Sequence, residues 1–203
     1  MTEDEILDRA SMPPGNPSYP FGPYRFVDRQ YFMVIYETDA AAIRAWLPEP
    51  LEPDGSGTVV YEWIDMPDSS GFGSYRESGL VIPAMLEGRP VNYTAMMFLN
   101  DEPPITAGRE IWGFPKRWGE PTLDVRADTL TGTLAYSGER VAMGTMAYKP
   151  ERLACDPEDC VRRMAKTTVN LKLLPCVTGR PQVAQLVAFE MTDIRLKGIW
   201  RGP

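Results

Sequence analysis

"TVVYEWIDM", Thr58 to Met66, carries apolar side chains on both faces of what reads as a β-strand. Strand side chains alternate, so Tyr61 and Trp63 point one way while Val60, Glu62 and Ile64 point the other. An antiparallel sheet with one wet face alternates apolar with polar residues, and this stretch does not. A sheet buried on both sides implies a closed or double-layered β architecture around an enclosed interior. Glu62 then stands as a carboxylate in an apolar row. Taken by itself, it reads first as a buried glutamate paired with an arginine for structure.

Further strands flank this one. "YRFVDRQYFMVIYET" (Tyr24 to Thr38) is rich in β-branched and aromatic residues. "VNYTAMMFL", "LTGTLAYSG", "RVAMGTMAY" and "VNLKLLP" have the same character, and Ser137-Gly138 suits a tight hairpin between two of them. "QVAQLVAFEMTDIRLKGIW" reads as one long strand or two joined by a bulge. Helices are few. The first dozen residues suit a short amphipathic helix stopped before Pro13-Pro14, and "TDAAAIRAWLPEP" opens on Thr38 or Asp39 as a cap and ends before Pro48. The fold class is therefore α+β, predominantly antiparallel β, with two to four short helices in a single domain, 1–203.

Composition excludes several functions. The 203 residues hold 21 basic and 28 acidic side chains, a net charge of −7 that disfavours a nucleic-acid partner. No apolar run reaches the length of a membrane span. The opening "MTEDEILDRASM" lacks the basic start and apolar centre of a signal peptide, so a cytoplasmic location with its three cysteines reduced is expected. There is no histidine. This removes Ser-His-Asp and Cys-His nucleophile systems and histidine-ligated metals. General acids, bases and nucleophiles must come from Lys, Glu, Asp, Tyr or Cys.

"GREIWGFPKRWGEP", Gly108 to Pro121, sets Lys116 among two tryptophans, a phenylalanine and two prolines, with Arg117 directly after it. An ordinary lysine titrates near ~10.4, so holding such an amine neutral at pH 7 costs on the order of 5 kcal/mol. Burial and a neighbouring cation both penalise the ammonium form. In extended backbone Phe114, Lys116 and Trp118 point one way and Arg117 the other, which makes burial the main cause and Arg117 secondary. The alternative is a lysine that snorkels past its aromatic neighbours to water. Met96, Met97, Met143 and Met146 fall in strand candidates and read as core fillers.

The same stretch resembles the signature of the acetoacetate decarboxylases, a Gly-Arg-Glu…Phe/Tyr-Pro-Lys-Lys segment that carries a Schiff-base lysine. "PYRFVDRQYFMVIYETDAAAIRAWLPEPLE", "SSGFGSYRESGLVIP", "MMFLNDEPPITAGRE" and "DTLTGTLAYSGERVAMGTMAYK" are similar to the family in the same order. The resemblance runs from about Pro17 to the last residue. It implies the family's closed or double β-barrel and assigns roles by position. Lys116 becomes the imine-forming lysine, with Arg117 in place of the family's second lysine. Glu62 and Glu77 become the two pocket glutamates and Arg29 the pocket arginine. Phe114, where tyrosine is frequent, and Met97 complete the substrate-binding set. Activation of a lysine by burial or a neighbouring cation is this family's own established example. The family continues past a Trp-x-Gly-Pro segment, whereas the sequence stops at "IWRGP". Missing C-terminal strands would leave an open sheet edge and a leaky pocket.

What the resemblance implies is cofactor-independent decarboxylation of acetoacetate or a close β-keto acid to a methyl ketone and CO₂ through a lysine imine. Arg29 would hold the substrate carboxylate and orient Glu77. Glu77 would position that carboxylate and Glu62 would move protons, with the two glutamate roles open to exchange. The partner is a small β-keto acid, with no nucleic acid, membrane or metal involved, in a homo-oligomer. Two alternatives remain: the imine serving aldol condensation or dehydration of other keto acids, and a non-catalytic binding protein that keeps the pocket.

Overall fold

The computed structural model describes residues 1–154 and 156–202. In chain order its strands are β1 (Phe26–Val27), β2 (Gln30–Glu37), β3 (Glu52–Pro53), β4 (Thr58–Met66), β5 (Asp68–Ser69), β6 (Tyr75–Leu86), β7 (Arg89–Leu99) and β8 (Lys116–Trp118). There follow β9 (Glu120–Arg126), β10 (Thr129–Tyr136), β11 (Glu139–Ala147), β12 (Glu151–Arg152), β13 (Thr168–Pro175), β14 (Pro181–Phe189) and β15 (Trp200–Arg201). The helices are α1 (Glu3–Leu7), α2 (Ala40–Trp46), α3 (Glu102–Glu110) and α4 (Pro157–Met164).

The main sheet has eight strands and runs β14-β13-β7-β6-β4-β2, with β3 added to β6 and β8 added to β7. Its ladders are antiparallel except where β13 and β8 pair with β7 in parallel. One edge of β7 is thus shared: β13 takes the end at Asn92–Tyr93 and β8 takes the end at Met97–Leu99. The chain entering β8 passes the divide at Gly113, where φ is +70° and a Cβ would come within 2.7 Å of the Lys172 backbone. Only glycine suits both conditions.

A second, three-stranded sheet, β11-β10-β9, covers one face of the first. Phe32, Trp63, Leu123 and Leu130 form the core between them. Trp63 stacks on Phe32 at 5.4 Å between ring centroids. The opposite face carries Ile64, Met66, Tyr75, Met97 and Leu99, closed by Tyr19, Phe72 and Ala107 of α3. A third cluster packs Ile43 of α2 and Leu47, just past its end, against Ile82, Val91 and Val169. The double burial expected for Thr58 to Met66 is what this layered arrangement provides: Trp63 and Ile64 are both buried, on opposite faces.

Local signals translate directly. Asp39 caps α2, its carboxylate accepting from the Ala41 and Ala42 amides. Ser137 and Gly138 both have positive φ, 52° and 82°, as a two-residue hairpin requires. "YRFVDRQYFMVIYET" divides in two at Asp28, whose φ is 58°. In "QVAQLVAFEMTDIRLKGIW" the strand ends at Phe189, and pairing resumes only at Trp200. α1 is present but buries none of its residues. Cys160 is disulfide-bonded and Cys176 is free. The reduced state expected for Cys160 is thereby corrected, since it was inferred from compartment and not from geometry.

Candidate active site

Strand register assembles the site. Glu62 on β4 pairs with Gly79 on β6, Gly79 with Met97 on β7, and Met97 with Lys116 on β8. Directly paired residues share a face, so one row across four strands brings Glu62, Met97 and Lys116 together. The next row on that face runs Tyr31, Ile64, Glu77 and Leu99. Gly79 lies between Glu62 and Met97, and a Cβ there would meet the Met96 carbonyl at 2.7 Å.

The Lys116 amine is dry but not alone. Lys116 is 7% exposed and Glu77 is 3% exposed, and Nζ donates to Glu77 Oε1 at 2.6 Å. Snorkelling is excluded by that burial. Phe114 contributes its ring face, 5.0 Å from Nζ to the centroid, and Met97 is buried beside it in the row. The segment is held on its backbone as well. Arg109 donates to the Lys116 carbonyl at 3.1 Å, and the Phe114 amide donates to the Gly108 carbonyl at 2.9 Å. Arg117 points to the other face, as extended backbone dictates. It is exposed, its guanidinium 5.0 Å from the Tyr136 ring centroid and bonded to the Tyr136 hydroxyl. Arg117 thus lies apart from the amine, on the side that alternation along the extended segment predicts.

Arg29 reaches the carboxylate side from the turn before β2. Its guanidinium is flanked by the Phe26 and Tyr31 rings, at 4.8 and 5.0 Å to their centroids. Nη1 contacts Met191 Sδ at 3.3 Å, and the buried Nε has no hydrogen-bond partner. Among the described residues no carboxylate lies within ion-pair distance of it. Arg29 was expected to orient Glu77; in this structure the Glu77 carboxylate is held by Lys116 instead.

Glu62 is half-buried, and its carboxyl is pushed up to about 7 by burial first and by the Glu77 charge second, with Arg29 opposing. Tyr31 is raised to about 12, chiefly by burial, with Arg29 lowering it and the two glutamates raising it. Tyr75 is raised further by burial and by Glu77. Both phenols therefore stay protonated, and both feel the Glu77 carboxylate and the Arg29 guanidinium.

Sequence reasoning missed Tyr31, Tyr75 and Asn170. The first two are found once the row containing Ile64 and Glu77 is extended onto β2 and along β6, a step that needs register. Asn170, fully buried on β13, donates Nδ2 to the Trp112 carbonyl at 3.1 Å and so pins the loop that leads to Lys116. No local signal marks it. A separate cleft of about 600 Å³ runs along β8, lined by Ile105, Arg109, Arg117, Trp118 and Tyr136. Lys116 lines it too, whereas Glu62, Glu77 and Arg29 do not.

Residues 10–203 match the family model described as acetoacetate decarboxylase (ADC). A protein of Acidiphilium cryptum named acetoacetate decarboxylase is 51% identical over 193 residues, covering 95% of this chain and 78% of that protein. A Chromobacterium violaceum protein of the same name is 48% identical over 204 residues, covering 100% of this chain and 82% of its own. The crystal structure of acetoacetate decarboxylase from Legionella pneumophila superposes with a TM-score of 0.89 at 43% identity, covering 98% of this chain and 79% of that one.

Proposed function

Because the chain belongs to the acetoacetate decarboxylase family, we propose that it converts acetoacetate, or a close β-keto acid, to acetone or the corresponding methyl ketone and CO₂ through an imine on Lys116. The observation that carries this reading is the buried Lys116 amine, 2.6 Å from Glu77 and on the same face as Glu62. An amine attacks a carbonyl only as the free base, and its proton needs a recipient. Glu77 is in contact to take that proton. The amine then adds to the ketone carbon, and loss of water leaves a protonated imine. That cation, β to the substrate carboxylate, accepts the electron pair of the C–C bond as CO₂ departs. Protonation of the enamine on carbon and hydrolysis release the ketone and restore the amine.

The remaining residues follow from charge. Arg29, unpaired with any carboxylate among the described residues, holds the substrate carboxylate between its aromatic flanks. Glu62, titrating at about 7, is populated in both forms at neutral pH and carries protons to and from the reacting carbons and oxygens. Phe114 and Met97 exclude water around the amine. Arg117 acts only through space. The reading covers one domain, 1–203, in a cytoplasmic homo-oligomer, and light scattering on the purified protein measures the assembly.

The test is chemical. Acetoacetate is incubated with the protein while CO₂ and acetone are measured, and borohydride is added to reduce any imine. Turnover is expected, with the adduct located at Lys116 by mass spectrometry and both signals lost in Lys116→Arg. An adduct on another residue, or trapping without CO₂ release, overturns the assignment.

A further inference from the structure

Gly108 is a small residue where a helix should not want one. It lies inside α3, at the seventh position of that nine-residue helix, and it is buried. Glycine in a helix interior costs about 1 kcal/mol relative to alanine. The usual reason to accept that cost is a positive φ, and Gly108 is not among the glycines with one. Space is the reason instead. A Cβ built on Gly108 would stand 2.5 Å from Lys116 Cδ, 2.8 Å from Cε and 3.2 Å from Nζ. No other side chain is among its three nearest neighbours.

Three contacts join α3 to the segment that carries this lysine. The Gly108 carbonyl accepts from the Phe114 amide at 2.9 Å, which folds the loop between helix and strand. Arg109, the next residue, donates to the Lys116 carbonyl at 3.1 Å. The bare Cα of Gly108 then forms the wall along which the lysine stem runs to Glu77. Carbon atoms in contact ordinarily sit about 3.5–4.0 Å apart, so a methyl group here would displace the stem by about an ångström. From this we infer that Gly108 is a positioning residue: the absence of a side chain on α3 sets the line along which the Lys116 amine meets Glu77 and the substrate carbonyl. The inference rests on Lys116 being the nucleophile, as proposed above. Its stability test below does not.

Gly108→Ala is compared with the unaltered protein in two backgrounds. With Lys116 present, reductive trapping of acetoacetate at saturating concentration should slow on the order of 10²-fold, as expected for a misplacement of about 1 Å. KM should change by no more than about threefold, because the carboxylate-holding Arg29 is untouched. A general loosening of the fold would move both constants. The second arm is a double-mutant cycle read by thermal unfolding. Gly108→Ala should lower the midpoint when Lys116 is present and should not lower it in the Lys116→Ala background, where the stem it strikes is gone. If Gly108→Ala fails to fold while the double variant folds, the same conclusion holds. An equal loss of midpoint in both backgrounds, or unchanged trapping by Gly108→Ala, overturns the inference. Should the unaltered protein trap no keto acid at Lys116, the reading of the site falls while the cycle still decides whether Gly108 seats the lysine.

Discussion

Glu62 shows how one residue sets a pH dependence. Its carboxyl titrates at about 7 in the fold against an ordinary 4.5, because burial and the Glu77 charge disfavour the anion more than Arg29 favours it. The sign follows. The folded state binds this proton more tightly than the unfolded chain, so the residue's favourable contribution is complete below about 4.5. It is lost as pH rises through about 7. Glutamine keeps the shape and cannot ionise. Glu62→Gln is therefore expected to be more stable than the unaltered protein at pH 8, by at most about 3 kcal/mol at 1.36 per pH unit. The difference should vanish towards pH 4.5. Thermal midpoints at pH 5 and pH 8 check this, and a variant no more stable at pH 8 would refute the assigned cause. Catalysis should move the other way, with turnover reduced, since the proton carrier is gone.

At the scale of elements, the contact between the two sheets depends on a pair of glycines. Gly132 on β10 faces Gly144 on β11 across the ladder. A Cβ on Gly132 would meet the Trp63 ring at 2.5 Å, and one on Gly144 would meet it at 2.9 Å. Both lie in strands, where glycine packs nothing and weakens the strand. The pair makes a slot that receives the indole of β4, so this wide side chain of the main sheet fits against a sheet that would otherwise be held off. Gly132→Ala would gain backbone propensity at an open site, but here overpacking should cost about 1–3 kcal/mol. The measurement is the urea midpoint. A fall is expected, and Trp63→Phe in the Gly132→Ala background should recover part of it by shrinking the ring that is struck. A midpoint equal to or above that of the unaltered protein would show that the slot is not tight.

For the whole molecule, the two faces of the main sheet divide the labour, and this also decides what the sequence could disclose. Thr58 to Met66 announced burial on both sides because each face has its own core, Trp63 on one and Ile64 on the other. The extended segment around Lys116 announced which way Arg117 would turn, because alternation is local. Contacts between residues distant in the chain were not readable: 39 positions separate Lys116 from Glu77, and 58 separate Asn170 from Trp112. Such pairs exist only once β7 has placed β8 along one end of its edge and β13 along the other. The α3 helix was also illegible, since its Pro103-Pro104 pair signals a loop until it is recognised as a first helical turn. If the faces are separate in chemistry but joined through one sheet, a lesion on the far face should alter stability alone. Leu130, 3% exposed in the core between the sheets, provides the test. Leu130→Ala is expected to cost about 2–5 kcal/mol. At a temperature where it remains folded, KM, turnover and their pH dependence should match the unaltered protein. In urea, circular dichroism and imine trapping should be lost in one coincident transition, shifted to lower denaturant. Trapping that disappears well before the circular dichroism would show that the site side melts by itself, and that the sheet does not couple its two faces.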